Sequence, residues 1–170
     1  MTEVVPSAMS REAFVARFSD VFEHSAWIAA ETFEHGLTKA HDNAEGLHRA
    51  LCATMRAASR ERKLALINAH PDLAGRLAIE GKLTAASTAE QASAGLDHCT
   101  PEEFELFQSL NERYRKRFGF PFIMAVKGRR REEILAALRT RIDNDEAIEF
   151  ETALGQIERI ALLRLYDMLG

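Results

Sequence analysis

Apolar residues recur every three or four positions along most of this chain, which is the spacing that places them on one face of an α-helix. Four such runs in the first half predict four helices. The first begins near Ser10, the second stops at Gly36, the third begins after Asn43 and the fourth ends about His70. The fourth helix is expected to end there because Pro71 disfavours helical geometry in the residue before it. The apolar positions of these helices are Phe14, Phe18, Val21 and Phe22; Trp27, Ile28 and Phe33; Leu47, Leu51 and Met55; and Leu64 and Ile67.

Helix-start signals are stronger in the second half. Ser87-Thr88-Ala89-Glu90 and Thr100-Pro101-Glu102-Glu103 both have the form of a capping box. The helix after Thr100 is predicted to end at Gly119, and the last helix to run from about Glu146 to Leu169. Phe122–Val126 is the one β-like stretch, and it is too short and isolated to form a sheet. The apolar positions are Phe104, Phe107, Leu110, Tyr114 and Phe118, then Ile134, Leu135, Leu138 and Ile142.

The length of 170 residues suits one domain with one hydrophobic core, and no linker or low-complexity segment interrupts the chain. The pattern therefore predicts an all-α fold: a compact single-domain multi-helix bundle over residues 1–170 with a long C-terminal helix. No apolar run approaches the roughly 20 residues that a membrane-spanning helix needs, so we expect no membrane partner.

Charge and cysteine content narrow the function classes. A formal net charge of -4 argues against nucleic acid as a partner. Cys52 and Cys99 lie far apart and without metal-ligand spacing, so we expect neither a disulfide framework nor a metal site. Residues 1–10 lack a secretory pattern and residues 167–170 are not a peroxisomal signal, which makes the cytoplasm the expected location.

Candidate chemistry lies where the helices are interrupted. His70 precedes Pro71 and Asp72 at a helix end, and an unperturbed imidazole pKa of about 6.5 suits proton transfer at neutral pH. The alternative is a capping role, in which His70 binds the last carbonyls of its helix or Asp72 caps the next one.

Two further breaks combine polar groups with tight loops. Ser87, Glu90 and Gln91 gather a hydroxyl, an acid and an amide at one predicted helix start, although Glu90 also fits a purely structural capping box. The loop Gly119–Ile123 is either core beneath a turn or an extended segment whose backbone groups must find partners, such as a flat ligand with amide donors and acceptors.

These segments, in order, resemble a known family. The motifs His70-Pro71-Asp72-Leu73-Ala74-Gly75, Ser87-x-x-Glu90-Gln91-x-x-Ala94-Gly95-Leu96-Asp97 and Phe118-Gly119-Phe120-Pro121-Phe122-Ile123 look like those of the 2-oxo-4-hydroxy-4-carboxy-5-ureidoimidazoline (OHCU) decarboxylases of urate breakdown. The closing segment Ile160–Leu165 is similar to the last helix of that family, whereas Lys127 departs from a position that is often arginine.

The resemblance implies an all-α, cofactor-free and commonly homodimeric enzyme that acts on a small molecule. It implies His70 as the catalytic acid/base and Glu90 as its acidic partner. The implied substrate contacts are Pro71, Ser87, Gln91, the backbone of Phe122 and Ile123, and Arg164. Two rival hypotheses stay open: a helical interaction module without catalysis, and a related enzyme that acts on another ureido or hydantoin compound.

Overall fold

The computed structural model describes residues 3–75 and 81–170, and within these ranges the regular structure is helical, with no β-strand. The predicted all-α fold is therefore confirmed. The helices, numbered in chain order over the described residues, are α1 Arg11–Phe18, α2 Ala26–Glu34, α3 Ala44–Ala57, α4 Arg60–Asn68, α5 Ala85–Ser93, α6 Pro101–Phe118, α7 Arg131–Arg141 and α8 Glu146–Leu169.

The predicted helix ends are largely confirmed. The side chains of Ser10 and Asn43 cap α1 and α3 by accepting hydrogen bonds from backbone N–H groups three residues on. The capping box at the start of α6 is present, with Thr100 and Glu103 each accepting from the other's backbone N–H. Gly119 ends α6 with φ +77°, a left-handed conformation that glycine adopts without steric cost.

Two details of the prediction are wrong. The cap of α5 is Thr84, whose hydroxyl accepts from the Ser87 N–H at 3.2 Å, so Ser87 and Glu90 lie inside the helix and form no capping box. The helix begins earlier than expected because the two alanines after Thr84 favour helix. In addition, α1 ends at Phe18, so Val21 lies in a short 3₁₀ turn, although its side chain is buried as predicted.

The chain divides into two compact units. The first comprises the residues up to Ala69 together with Glu158–Gly170, and the second comprises His70–Ile157. Helix α8 contributes its first half to the second unit and its second half to the first. The largest buried side chains of the first unit are Phe14, Phe18, Phe22, Ile28, Leu47, Leu51, Met55 and Leu66; those of the second are Phe107, Tyr114, Phe120 and Phe122. A single domain over residues 1–170 stays a prediction.

None of the helices in the described ranges combines the length and the hydropathy needed to cross a membrane.

Two helical glycines are expected to respond oppositely to alanine. A Cβ at Gly46 in α3 would lie 1.8 Å from the Ala40 carbonyl oxygen, so Gly46→Ala should lower the free energy of unfolding by roughly 1–3 kcal/mol. At Gly155 in α8 a Cβ meets no described atom within 4 Å, so Gly155→Ala should raise it by about 0.5–1 kcal/mol. Urea unfolding of both variants measures the difference, and equal effects would contradict the packing at Gly46.

Candidate active site

His70 lies just beyond the end of α4. The helix ends at Asn68, Ala69 follows as its C-cap, and His70 is buried with 7% of its surface exposed. An irregular backbone follows from Pro71 to Gly75. The predicted break at Pro71 is thus confirmed, and it places the imidazole at the start of a loop. Asp72 does not cap a helix that begins directly after it, because residues 73–75 are irregular and Ala74 has a left-handed φ of +52°. Residues 76–80 lie outside the described residues.

Gln91 connects α5 to this loop. Its side-chain Oε1 accepts a hydrogen bond from the Ala74 N–H at 3.0 Å, and its Nε2 donates to the Asp72 carbonyl at 3.4 Å. Gln91 is 5% exposed, and its bond to the Ala74 N–H is shielded from water. The structure therefore brings Gln91 to the loop that follows His70, which no local spacing in the sequence could indicate.

Helix α6 holds the same loop from another direction. Asn111 Nδ2 donates to the Leu73 carbonyl at 3.0 Å, and Gln108 Nε2 donates to the Ala74 carbonyl at 2.9 Å. Arg115 Nε forms an ion pair with the Asp72 carboxylate at 3.0 Å. The sequence analysis missed these three side chains of α6. Their spacing along the helix, at intervals of three and four residues, was the available signal.

The loop itself adopts a strained conformation. Ala74 has φ +52°, a left-handed value that costs a residue with a Cβ free energy. A Cβ on Gly75 would lie 2.8 Å from the Asp72 Cβ, so the backbone folds closely back on itself there. Such a conformation persists only where surrounding contacts hold it, and the amides of α5 and α6 provide those contacts.

Ser87, Glu90 and Gln91 share one side of α5. Ser87 and Gln91 lie one turn apart and are both 5% exposed, and Glu90 is half-buried beside them. The inward face of α5 therefore carries a hydroxyl and an amide, with a carboxylate at its edge. With Thr84 as the cap, the structural capping role once considered for Glu90 is excluded.

A cavity of about 540 Å³ reaches Gln91 from the neighbouring side of α5. Thr88 and Ala92 line it from that helix, and Leu96, Cys99 and Phe104 are among its other walls. Gln91 and Ala74 both line the cavity, so it adjoins the loop that follows His70. Ligand pockets of about 300–1,000 Å³ are typical for small molecules, so the space is adequate for one.

The segment Phe122–Ile123 is extended, as predicted, and its side chains are buried in the core. Arg141 Nη1 donates to the Ile123 carbonyl at 2.6 Å, and Gln156 Oε1 accepts from the Ala125 N–H at 2.9 Å. Within residues 3–75 and 81–170, the N–H groups of Phe122 and Ile123 have no hydrogen-bond partner. The sequence offered two interpretations of this loop, and each holds in part. The side chains of Phe122 and Ile123 are core, and their two backbone N–H groups remain available to another acceptor.

A buried carboxylate organises the support of this segment. Glu149 is fully buried and accepts from Tyr114 Oη at 2.6 Å, Arg141 Nε at 2.9 Å and Asn144 Nδ2 at 2.9 Å. Burial, together with the hydrogen bond to Glu149, raises the pKa of Tyr114 well above its usual range. The Arg141 guanidinium also lies over the Phe122 ring, 4.4 Å from its centroid. Sequence reasoning missed this network, although Arg141 falls three residues after the buried Leu138 on the same helix.

Arg164 belongs to the first unit and is described there by itself. It is 7% exposed; Nη1 donates to the Asp20 carbonyl at 2.9 Å and Nη2 lies 3.4 Å from Glu23 Oε2. Glu23 is itself 1% exposed, and the next residue, His24, has φ +47°. The arginine is therefore a buried, paired cation, and the sequence analysis missed its carboxylate partner.

Comparison with known proteins supplies the family. The sequence profile described as OHCU decarboxylase matches residues 7–166, which include every site residue named above. The chain belongs to the OHCU decarboxylase family.

Two archaeal relatives are similar to this chain over most of their length. A 2-oxo-4-hydroxy-4-carboxy-5-ureidoimidazoline decarboxylase of Haloferax volcanii is 44% identical over 156 residues, covering 92% of this chain and 89% of that protein. The protein of the same name from Halalkalicoccus jeotgali is 42% identical, covering 93% and 86%. Among solved structures, an (S)-allantoin synthase matches with TM-score 0.77 and 30% identity over 97% of this chain, which spans 52% of that chain.

The Glu149 network generates a stability prediction. Arg141→Met should lower the free energy of unfolding by about 3–5 kcal/mol, because it leaves a fully buried carboxylate without its cation. Arg130→Met is the matched control, since Arg130 pairs with Glu133 at an exposed site where such pairs contribute about 0–1 kcal/mol. Chemical unfolding followed by circular dichroism measures both. Equal losses in the two variants would show that the buried pair has no special structural role.

Proposed function

We propose that this chain decarboxylates OHCU to (S)-allantoin and CO₂ in urate breakdown, without a cofactor. The observation that carries the proposal is a buried histidine at a proline-enforced helix break, in a loop held by buried amides, on a chain matched to the OHCU decarboxylase family from residue 7 to 166. The small substrate needs only a fixed acid/base and oriented hydrogen-bond donors, and the described site offers both.

The substrate contains its own electron sink. One ring carbon carries the carboxylate and a hydroxyl, and the neighbouring ring carbon, which bears the ureido group, is part of a C=N bond. When the bond to the carboxylate breaks, its electron pair forms a C=C bond and the imine pair moves to nitrogen, which takes up a proton. The products of this step are CO₂ and an ene-ol, so no pyridoxal or thiamine group is required.

His70 is assigned the proton transfers that follow. The ene-ol loses its hydroxyl proton and gains one on the carbon that bears the ureido group, which gives allantoin. A neutral imidazole can accept the first proton and deliver one to carbon, a role typically worth roughly 10²- to 10⁴-fold in rate. Delivery to one face of the ring sets the (S) configuration, because His70 is held at a fixed place by its loop.

Glu90 is assigned as the acidic partner of this chemistry. An ionised carboxylate favours the protonated imidazole and its correct tautomer, or accepts directly from the substrate hydroxyl. Ser87 and Gln91, on the inward face of the same helix, are proposed substrate contacts, as is Pro71 beside His70. Gln91 already bonds to the Asp72–Ala74 backbone, so one N–H and one lone pair of its amide remain for a ring or ureido group.

The extended segment and Arg164 complete the proposed set of contacts. The unpaired N–H groups of Phe122 and Ile123 are suited to carbonyl oxygens of a flat ureido ring. Arg164, a buried guanidinium, is proposed to donate to a substrate oxygen. A homodimer, which the family resemblance implies, and a cytoplasmic location, which the sequence led us to expect, are part of the proposal. Analytical ultracentrifugation tests the first and localisation of a tagged chain tests the second.

The assignment of His70 predicts a specific loss. His70→Ala should reduce turnover of freshly generated OHCU at least about 100-fold, since it removes the acid/base, and leave the fold intact. His98→Ala is the matched control, because that histidine side chain is 81% exposed and lies in the same unit. Formation of (S)-allantoin is followed by circular dichroism against the spontaneous decay of the substrate.

Full activity in His70→Ala would refute the catalytic assignment. An absence of OHCU decay above the spontaneous rate in the wild type would refute the function itself. Turnover of a different ureido or hydantoin compound would then favour the related enzyme, and turnover of none would favour the interaction module.

Glu90 is expected to affect rate and not stability. Glu90→Gln should lower kcat by at least about tenfold while the melting temperature stays near that of the wild type, because the cap of α5 is Thr84. A loss of a true cap would instead cost about 1 kcal/mol with activity kept. Parallel kinetic and thermal measurements on this one variant separate the two outcomes, and unchanged kcat removes Glu90 from the mechanism.

A further inference from the structure

We propose that Asn111 is a positioning residue for His70, which it orients through the backbone of the Asp72–Ala74 loop. The inference rests on the proposed role of His70 in catalysis. Asn111 lies in the middle of α6, on a different element from His70, and none of the three sequence motifs contains it.

Asn111 binds the loop directly. Its Nδ2 donates to the Leu73 carbonyl at 3.0 Å, across 38 residues of chain, and both residues are buried. The Leu73 carbonyl belongs to no described helix, so a side chain must supply its donor if it is to be satisfied away from water. Asn111 supplies that donor.

Asn111 makes this bond at a cost in free energy. The side-chain Oδ1 is buried and has no hydrogen-bond partner among the described residues. An apolar side chain of similar volume, such as leucine, would fill the space without burying an unsatisfied carbonyl oxygen. The asparagine is therefore explained by the loop carbonyl that it binds and not by packing.

The loop lies close to His70 in the chain, and several side chains hold it. Gln91 from α5 binds the Asp72 carbonyl and the Ala74 N–H, on either side of the bond from Asn111. Gln108, one turn before Asn111 on α6, binds the Ala74 carbonyl. The strained φ of Ala74 needs such support, and His70 lies only two residues before Asp72. A shift of the Leu73 carbonyl is therefore passed to the imidazole through a short, bonded stretch of chain.

Asn111→Leu is the main test. It removes the unsatisfied Oδ1 but leaves the Leu73 carbonyl without its donor, so the two effects largely offset and we expect only a small change in melting temperature. Misplacement of a catalytic group by about 1 Å can cost about 100-fold, so we expect kcat to fall between about 10- and 100-fold while KM changes less than about threefold. In a long-range ¹H–¹⁵N spectrum of the imidazoles, the His70 signals, assigned with His70→Gln, should move.

Asn111→Asp supplies a second readout that packing alone does not change. An ionised aspartate cannot donate to the Leu73 carbonyl, whereas a protonated one can. Burial raises the pKa of a carboxyl group, so the donor should return as the pH falls. The activity ratio of Asn111→Asp to wild type should therefore rise toward low pH, and the titration of His70 itself largely cancels in this ratio.

Thr54→Val is the control. Thr54 is buried in the first unit and its hydroxyl bonds to that of Thr32 at 2.7 Å, so the variant also loses a buried hydrogen bond, but far from the loop in sequence. It should leave kcat and the His70 signals unchanged.

Unchanged kcat and unchanged His70 signals in Asn111→Leu would overturn the proposal. A rise in KM alone would also overturn it, since that indicates substrate binding. If the wild type fails to turn over OHCU, the proposed function fails, and the imidazole spectrum still decides whether Asn111 positions His70.

Discussion

The second unit depends on hydrogen-bond partners for the backbone N–H and carbonyl groups that follow Pro71. Proline ends α4, so the N–H and carbonyl groups of the next residues have no helix to pair them, and burial denies them water. Side-chain amides of α5 and α6 replace the missing helix bonds: Gln91 at Asp72 and Ala74, and Asn111 at Leu73. His70 lies between the C-cap of α4 and this hydrogen-bonded loop, so the backbone on each side of it is fixed. This explains how an irregular segment can hold the histidine that we propose as the acid/base at one fixed position.

The same solution recurs at the extended segment. The carbonyl of Ile123 is bound by Arg141, which is held by the buried Glu149, and the N–H of Ala125 is bound by Gln156. Buried ion pairs are weak sources of stability, but a broken one is costly, so such a network favours one arrangement over its alternatives. In both places polar side chains from helices fix backbone that is not helical. The proposed reaction needs that rigidity, because the substrate supplies the electron sink and the protein supplies orientation and proton transfer.

The sequence could predict the helices better than the site. Periodicity and capping residues located Ser10, Asn43, Thr100 and the bounds of α8, because these signals are local. The start of α5 was misplaced because a hydroxyl residue occurs at both 84 and 87, and only the second is followed by an acid three positions on. Asn111 was missed because its partner lies 38 residues away. Spacing alone could not associate Glu90 with His70, and that association came from the family resemblance.

The handedness of the product tests the central claim most directly, because spontaneous decay of the substrate lacks a fixed proton donor. OHCU would be generated in D₂O with the protein present from the start, and the allantoin analysed for deuterium on the carbon that bears the ureido group and for its configuration. The account predicts (S)-allantoin, deuterated at that carbon, from the wild type, and racemic allantoin at the spontaneous rate from His70→Ala. An excess of the (S) form from His70→Ala would contradict it, because another group would then deliver the proton.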